Sequence, residues 1–231
     1  MLTLADLRRR ARTRLHDTVK PYLWSDEELL DCINDTLWDA ATRASLTVED
    51  DIDIVFTQNV DLTWNDKYAL PSGVIDIKSV YLDSQPTYSL YRTSIRRREQ
   101  YYGGRPSQNG TPWAYALDQT KAGTGDDVGI FVRAIKFIGT PTEADTAYMD
   151  VIRLPLKLFY DSDVPEIDPL WHSDLIFGVT GLAYMKPDTD TYDPERSERD
   201  MARFTERFGE RLPAVVIRER QTEVPYEMVV G

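Results

Sequence analysis

Two amphipathic helices are predicted at the start of the chain. In the first, apolar residues recur at steps of three, four and four positions, which places them on one helical face: Leu4, Leu7, Ala11 and Leu15. Ser25 and Glu28 then have the spacing of a capping box. The apolar positions behind this start keep helical spacing: Leu29, Ile33, Leu37, Ala40, Ala41 and Ala44. They predict a second helix that runs to about residue 46.

From residue 48 the apolar period changes from helical to alternating. Ile52, Ile54 and Phe56 stand at every second position, the pattern of a half-buried strand. Clusters of Gly, Pro, Asn and Asp separate further β-like runs, which are residues 60–64, 68–70, 74–82, 113–117, 128–138 and 147–158. These runs predict an antiparallel, β-rich insertion.

Helical spacing returns at Pro169. One apolar stripe contains Trp171, Leu175, Gly178, Leu182 and Met185. Asp193 and Pro194 then supply an N-cap and a proline at the first position of a last helix. The predicted core face of that helix is Ser197, Met201, Phe204, Phe208 and Leu212. Pro213 ends the pattern, and the residues after it lack helical periodicity.

The order of these elements predicts an α+β fold. The N-terminal helices (residues 1–47) and the C-terminal helices (164–212) can bury their apolar stripes only against one another. We therefore expect a bundle of about four helices that carries the antiparallel β-rich insertion (48–163) and an extended C-terminal tail arm (213–231).

The net charge of −12 is unevenly distributed. Residues 1–20 contain six Lys/Arg and two Asp/Glu, so the rest of the chain carries −16. A body this acidic argues against neutralisation of nucleic-acid phosphates as the main role. The lone Cys32 excludes an intramolecular disulfide framework and a cysteine-based zinc site. The arginines near the N-terminus predict that no secretory signal peptide is present.

Trp171-His172-Ser173-Asp174 is the strongest candidate for an enzymatic centre. A catalytic triad needs a nucleophile within reach of its base, whereas neighbouring residues on a helix point away from each other. The helical spacing of His172 with Ile176 and Val179 favours a packing or hydrogen-bonding role. The acidic run 188–195 lacks the glycine and glutamate spacing of a calcium loop, and we interpret it as an interhelix loop ending in an N-cap. The sequence therefore predicts no catalytic residue, no metal site and no cofactor.

Two basic segments have alternative interpretations. Arginines cover the polar faces of the first helix, among them Arg8, Arg9 and Arg12. A second segment combines Arg96, Arg97, Arg98 and Arg105 with Tyr101 and Tyr102. Basic residues beside aromatic ones can follow a nucleic-acid strand, or they can bind an acidic surface of an adjacent subunit. The second interpretation is favoured for both segments, and nucleic-acid contact is the alternative.

The tail has no predicted place in the core. Its β-branched and aromatic residues are those of an arm that adds a strand to a partner or fills a groove on it. The candidate contact residues are Val215, Val216, Ile217, Arg218, Arg220, Val224 and Tyr226.

Three stretches resemble the head-to-tail adaptor (connector, head-completion or neck) proteins of tailed bacteriophages. They are YLWSDEELLDCINDTLWDAATRA, YALPSGVIDIKSVYLD and LPLKLFYDSDVPEIDPLWHSDLIFGVTGLAY. The first is similar to the family's N-terminal helix, and the second to its Tyr-x-Leu-Pro turn with the strand that follows. The third is similar to its strand, Pro-Glu-Ile turn and helix start. Together, in this order, they cover most of the chain.

The resemblance implies a non-enzymatic virion protein of the neck, assembled in the host bacterial cytoplasm. Its partners would be other copies of itself, in a ring of about twelve, the portal protein, and a tail or nozzle protein. Double-stranded DNA would pass through the ring, the tail arm would reach the portal, and no membrane would be involved. The alternatives are a tail-tube or tail-completion protein, a nucleic-acid-binding protein, or an enzyme on an α+β scaffold.

Overall fold

A computed structural model describes residues 1–58, 65–93, 110–122, 130–213 and Val216. Two compact units are present. Met1–Thr47 and Arg153–Leu212 form the first, here the helical unit, and Val48–Ile152 form the second, here the strand unit. The helical unit thus takes in residues 153–163, which the sequence pattern placed in the insertion. The predicted α+β class is confirmed.

The two N-terminal helices begin at side-chain caps. Helix α1 is Leu4–Leu15, and the Thr3 hydroxyl accepts a hydrogen bond from the backbone N–H of Asp6 at 3.3 Å. Helix α2 is Asp26–Ala44 and starts at the predicted capping box. There the Ser25 hydroxyl accepts from the N–H of Glu28, whose carboxylate in turn accepts from the N–H of Ser25. These bonds satisfy backbone donors that have no partner inside the helix.

The C-terminal helices are shorter than their patterns predict. The stripe that starts at Pro169 folds as a 3₁₀ turn, Pro169–Trp171, followed by helix α3, Leu175–Ala183. Helix α4 is Pro194–Phe208, with Asp193 as its N-cap. It ends because Gly209 adopts a φ of 85°, a left-handed value that glycine takes at little cost. Leu212, predicted on the core face of this helix, therefore lies beyond it.

Helix α3 is the centre of the helical unit. It packs against α1, α2 and α4. A Cβ atom on Gly178 would lie 2.5 Å from the methyl group of Thr36 on α2 and 3.0 Å from the ring of Phe204 on α4. Glycine is therefore what allows this close approach of three helices. The outer end of the predicted stripe is less buried, with Leu182 at 38% and Met185 at 50% exposure.

The described residues of the strand unit form two four-stranded sheets. The first sheet has the strand order β1-β8-β3-β4, and the second has the order β2-β7-β6-β5. The strands are β1 Val48–Val55, β2 Lys67–Ala69, β3 Val74–Leu82, β4 Gln85–Ser89, β5 Tyr91–Arg92, β6 Ala114–Ala122, β7 Ile130–Ile138 and β8 Thr146–Arg153. The recorded pairings are antiparallel except β5 with β6, which is parallel. The predicted run 60–64 lies outside the described residues.

An aromatic cluster lies in the core of the strand unit. Phe56, Tyr68 and Phe137 have ring centroids 5.0–6.0 Å apart. Apolar residues of both sheets surround them, including Val80 of β3 and Ile135 of β7, each fully buried. The alternating pattern that identified the strands in the sequence is the inward face of these sheets.

Candidate functional site

His172 is a buried structural residue. Its Nδ1 accepts a hydrogen bond from the backbone N–H of Leu2 at 3.2 Å, and its Nε2 lies 2.9 Å from the carbonyl oxygen of Ile167. A carbonyl only accepts and an N–H only donates, so both bonds require the neutral ring with its proton on Nε2. Neither ring nitrogen is then available to a nucleophile. The predicted packing and hydrogen-bonding role of His172 is confirmed.

Ser173 and Asp174 point to other partners. The Ser173 hydroxyl accepts a hydrogen bond from Arg10 at 3.1 Å, and Asp174 lies 3.8 Å from the guanidinium of Arg207. The three neighbours in sequence therefore serve three separate contacts. A Ser-His-Asp relay needs all three side chains in one hydrogen-bonded chain.

The acidic loop before α4 ends in the predicted N-cap. The carboxylate of Asp193 accepts from the backbone N–H of Arg196 at 3.0 Å and also pairs with its guanidinium at 3.1 Å. Within the described ranges, no three His, Cys, Asp or Glu side chains are grouped so that they could hold a metal ion.

One set of charges on α1 is used inside the helical unit. Arg12 is buried, with only 9% of its side chain exposed, and lies 2.7 Å from both Asp17 and Asp26. The Asp17 carboxylate also accepts from the backbone N–H groups of Leu23 and Trp24. We call Arg12, Asp17 and Asp26, with these two amides, the Asp17 network. It fixes the turn between α1 and α2.

The other predicted arginines of α1 differ in exposure. Arg8 pairs with Asp161 at 2.9 Å and lies 3.7 Å from Asp26, and its side chain is 17% exposed. Arg9 pairs with Asp6 at 2.9 Å but remains 71% exposed. Of the three arginines that the sequence singled out on this helix, only Arg9 is therefore open to a partner.

A basic groove opens beside a face of α1 that does not include Arg8 or Arg12. Helices α1 and α4 form its walls, α3 lies between them, and its volume is about 860 Å³. Its lining includes six arginines, Arg9, Arg10, Arg14, Arg196, Arg199 and Arg203, and one acidic residue, Asp200. On the groove floor, the Phe177 ring lies 4.8 Å from the guanidinium carbon of Arg14 and 5.6 Å from that of Arg203. Such stacking orients arginines while leaving their N–H donors free.

Asp200 on α4 links the helices that form the groove. Its carboxylate is 1% exposed, accepts from Arg14 at 2.9 Å and 2.5 Å, and accepts from the Thr180 hydroxyl at 2.6 Å. Burial alone would raise the pKa of Asp200, but these bonds outweigh it and hold the pKa below its ordinary value of 3.8. The same contact raises the pKa of Arg14. Asp200 forms an ion pair with Arg14, and its charge also acts on Arg196 and Arg199. Arg9 and Arg196 pair with Asp6 and Asp193, so the excess positive charge of the groove comes from Arg10, Arg199 and Arg203.

Sequence reasoning missed the α4 half of this groove. Arg196, Arg199 and Arg203 stand at steps of three and four, so they form one basic stripe on a helix whose core face was recognised. That spacing was a usable signal. The apposition of the stripe to α1 was not, because it depends on how both helices pack on α3.

Comparison with known proteins identifies the family. The family model described as SU10 adaptor protein matches residues 2–227, which is nearly the whole chain. The chain belongs to this family. The resemblance to phage head-to-tail adaptors is thereby confirmed, and the protein is a structural adaptor of a bacteriophage. No curated protein matches the chain at a significant level.

In this SU10 adaptor, part of the predicted contact surface lies outside the described residues. That part comprises Arg96, Arg97, Arg98 and Arg105 together with the tail residues Val215, Ile217, Arg218, Arg220, Val224 and Tyr226. Val216 is described and half-buried. None of the adaptor's described helices is long and apolar enough to cross a membrane.

Proposed function

We propose that this adaptor forms a closed ring of about twelve copies below the portal, continues the DNA channel and presents the surface on which the tail docks. The match of residues 2–227 to the SU10 adaptor family is the observation that carries the proposal. The role is one of assembly, without catalysis and without a cofactor.

The charge distribution supports a channel through which DNA slides. Outside residues 1–20 the chain carries −16, and like charge keeps a polyanion from adhering. Arg8 and Arg12 are held in ion pairs with Asp161, Asp17 and Asp26. Much of the positive charge of α1 is thus neutralised inside the subunit.

The C-terminal arm, residues 213–231, is proposed to reach onto the portal. Its apolar positions, such as Val215, Ile217 and Tyr226, suit strand addition or insertion into a groove. Arg218 and Arg220 would then pair with acidic groups of the portal.

The mass of the assembled particle tests the ring. The purified adaptor, alone and mixed with the portal of the same phage, is examined by native mass spectrometry and negative-stain imaging. We expect rings in at least one condition. A chain that stays monomeric with the portal would contradict the proposed function.

Removal of residues 213–231 tests the arm separately. We expect the truncated adaptor to lose portal binding in a pull-down while its far-UV circular dichroism and melting temperature stay close to the wild type. A matched control keeps the arm and replaces its polar residues Gln221 and Thr222 by alanine. Portal binding by the truncated chain at wild-type strength would refute the role of the arm.

DNA binding tests the channel. At physiological ionic strength the assembled ring is expected to retain no short duplex in a filter-binding assay, since an acidic channel repels the phosphates. Tight, salt-sensitive binding would instead favour a nucleic-acid-binding protein.

A further inference from the structure

A second charged surface of the helical unit is an acidic stripe on α2. Glu27, Asp31 and Asp35 are exposed and follow each other at four-residue steps, so they span roughly 12 Å along the helix. Their face lies opposite the buried side of α2, which carries Leu29 and Ile33. Within the described part of the chain, none of these three carboxylates has an ion-pair partner. We call these three residues the acidic stripe.

The neighbouring thiol experiences the negative charge of this stripe. Burial, followed by the charges of Asp35, Asp31 and Glu28, raises the pKa of Cys32 to about 11. Two of the stripe's carboxylates, Asp31 and Asp35, thus contribute to the raised pKa of this thiol.

The basic groove offers such a partner. Arg10, Arg199 and Arg203 are exposed, and among the described residues no carboxylate pairs with them. Arg10 bonds the Ser173 hydroxyl, and Arg203 stacks on Phe177. These contacts hold Arg10 and Arg203 in place while leaving N–H donors unused, which lowers the entropic cost of binding carboxylates.

One subunit cannot join its own two surfaces. Helix α2 packs on α3 at Gly178, where its Thr36 lies against the glycine, whereas the groove opens over Phe177. The acidic stripe lies on the exposed face of α2, although Asp35 also lines the cavity beside that contact. Two different complementary patches on one subunit make a head-to-tail contact, and such contacts form a ring when the rotation between neighbouring copies closes.

We propose that the acidic stripe of one copy enters the basic groove of the next, where Glu27, Asp31 and Asp35 pair with Arg10, Arg199 and Arg203. The inference rests on the proposed ring and names the subunit contact that closes it. The acidic loop before α4 is a weaker occupant, because Asp193 is already held by Arg196. A nucleic-acid strand is also disfavoured, because the groove belongs to a chain of charge −12.

Two charge-reversal variants test the contact. The first, R199E/R203E, reverses the groove, and the second, D31R/D35R, reverses the stripe. Each alone is expected to raise the adaptor concentration needed for half-assembly by roughly tenfold or more, because attraction becomes repulsion. Sedimentation velocity measures assembly under the condition in which the wild type forms rings. Circular dichroism and melting temperature verify that each variant is folded.

Mixing the two variants is the decisive measurement. In an alternating ring, the reversed stripe of one variant meets the reversed groove of the other, and the unchanged surfaces meet in the next contact. An equimolar mixture is therefore expected to assemble although neither component does. Matched controls reverse charges on α4 outside the groove. R207E is the control for R199E/R203E, and E198K/E206K is the control for D31R/D35R. Both controls are expected to assemble like the wild type.

The outcomes separate this contact from the proposed function. If the wild type forms no ring alone or with the portal, both the proposed function and the contact fail. If the wild type assembles and the reversal variants do so equally well, only the contact is overturned. It is also overturned if the mixture stays unassembled. If the wild-type ring retains DNA, and R199E/R203E assembles like the wild type but no longer retains it, the groove is assigned to nucleic acid instead.

Discussion

The Asp17 network and the basic groove use arginines of the same helix in opposite ways. In the network, Arg12 is 9% exposed and has two carboxylates within 2.7 Å. In the groove, Arg10 is exposed and bonds only a serine hydroxyl among the described residues. The two arginines are two positions apart, so they lie on different faces of α1.

The difference shows that the use of a charge depends on the segment packed beside it. Arg12 faces the turn after α1, where the Asp17 carboxylate accepts hydrogen bonds from its guanidinium and from two backbone amides. Arg10 bonds Ser173 just before α3, and no carboxylate in the described part of the chain forms an ion pair with it. Buried, paired charge holds the fold together, whereas exposed, oriented charge is available for assembly.

Removal of the Asp17 carboxylate is expected to have the largest effect on stability. Asp17→Ala leaves Arg12 with Asp26 as its one carboxylate partner among the described residues and leaves the N–H groups of Leu23 and Trp24 without their acceptor. Breaking a buried ion pair of this kind lowers the free energy of unfolding by about 3–5 kcal/mol. Urea denaturation followed by tryptophan fluorescence measures the change.

The control for this variant is Asp161→Ala. Asp161 also pairs with an arginine of α1, but its side chain is 69% exposed. Its loss is expected to lower the free energy of unfolding by less than about 1 kcal/mol. Equal effects of the two variants would show that burial does not distinguish the two kinds of pair.

Asp200→Asn is expected to have an intermediate effect. The amide keeps the shape of the carboxylate but loses its charge, and Arg14 stays 30% exposed and therefore partly solvated. We expect a loss of about 1–3 kcal/mol in the free energy of unfolding. Denaturation at pH 7 measures it, with Glu198→Gln on the exposed face of α4 as the control. A stabilised variant would contradict the view that Asp200 offsets the charge of Arg14.

The free energy of unfolding at acidic pH also depends on these ion pairs. A hydrogen bond from Arg12 lowers the pKa of Asp26, and one from Lys186 lowers the pKa of Glu28. The pKa of Asp200 is also lowered. Stability from these groups is complete above their ordinary values of 3.8 and 4.5 and is lost as pH falls through the lowered ones. The difference in the free energy of unfolding between the wild type and Asp200→Asn should therefore become smaller below about pH 4. A constant gap from pH 7 to pH 3 would be incompatible with this linkage.

Arg203→Gln is expected to have the smallest effect on stability. Its side chain is exposed, and its one recorded contact is with the ring of Phe177. The free energy of unfolding should change by no more than about 0.5 kcal/mol. The melting temperature of the dissociated protein measures this, and a change as large as that of Asp200→Asn would place Arg203 among the structural arginines.

Local chemistry made much of the fold predictable. The capping box at Ser25 and Glu28 and the N-cap at Asp193 have the contacts expected from sequence alone. These signals act within four residues, so no knowledge of packing is needed. Gly209 ended α4 before the predicted stop at Pro213, because a left-handed glycine terminates a helix as firmly as a proline does.

The groove and the sheet order depend on longer-range contacts. The stripe of Arg196, Arg199 and Arg203 was visible in the sequence, but its position across from Arg10 follows from the docking of α1 and α4 on α3. Likewise, the parallel pairing of β5 with β6 joins segments that alternation alone cannot pair. The adaptor role itself came from resemblance, since no single residue of the chain has a diagnostic chemistry.

The bond between the Leu2 amide and His172 has a consequence for synthesis on the ribosome. It joins residues 170 positions apart, and α1 and α2 bury their apolar faces against α3 and α4. The first two helices therefore emerge long before the partners that cover them, while Val48–Ile152 is made as one continuous segment. The strand unit can fold while translation continues, whereas the N-terminal helices must wait for the last quarter of the chain.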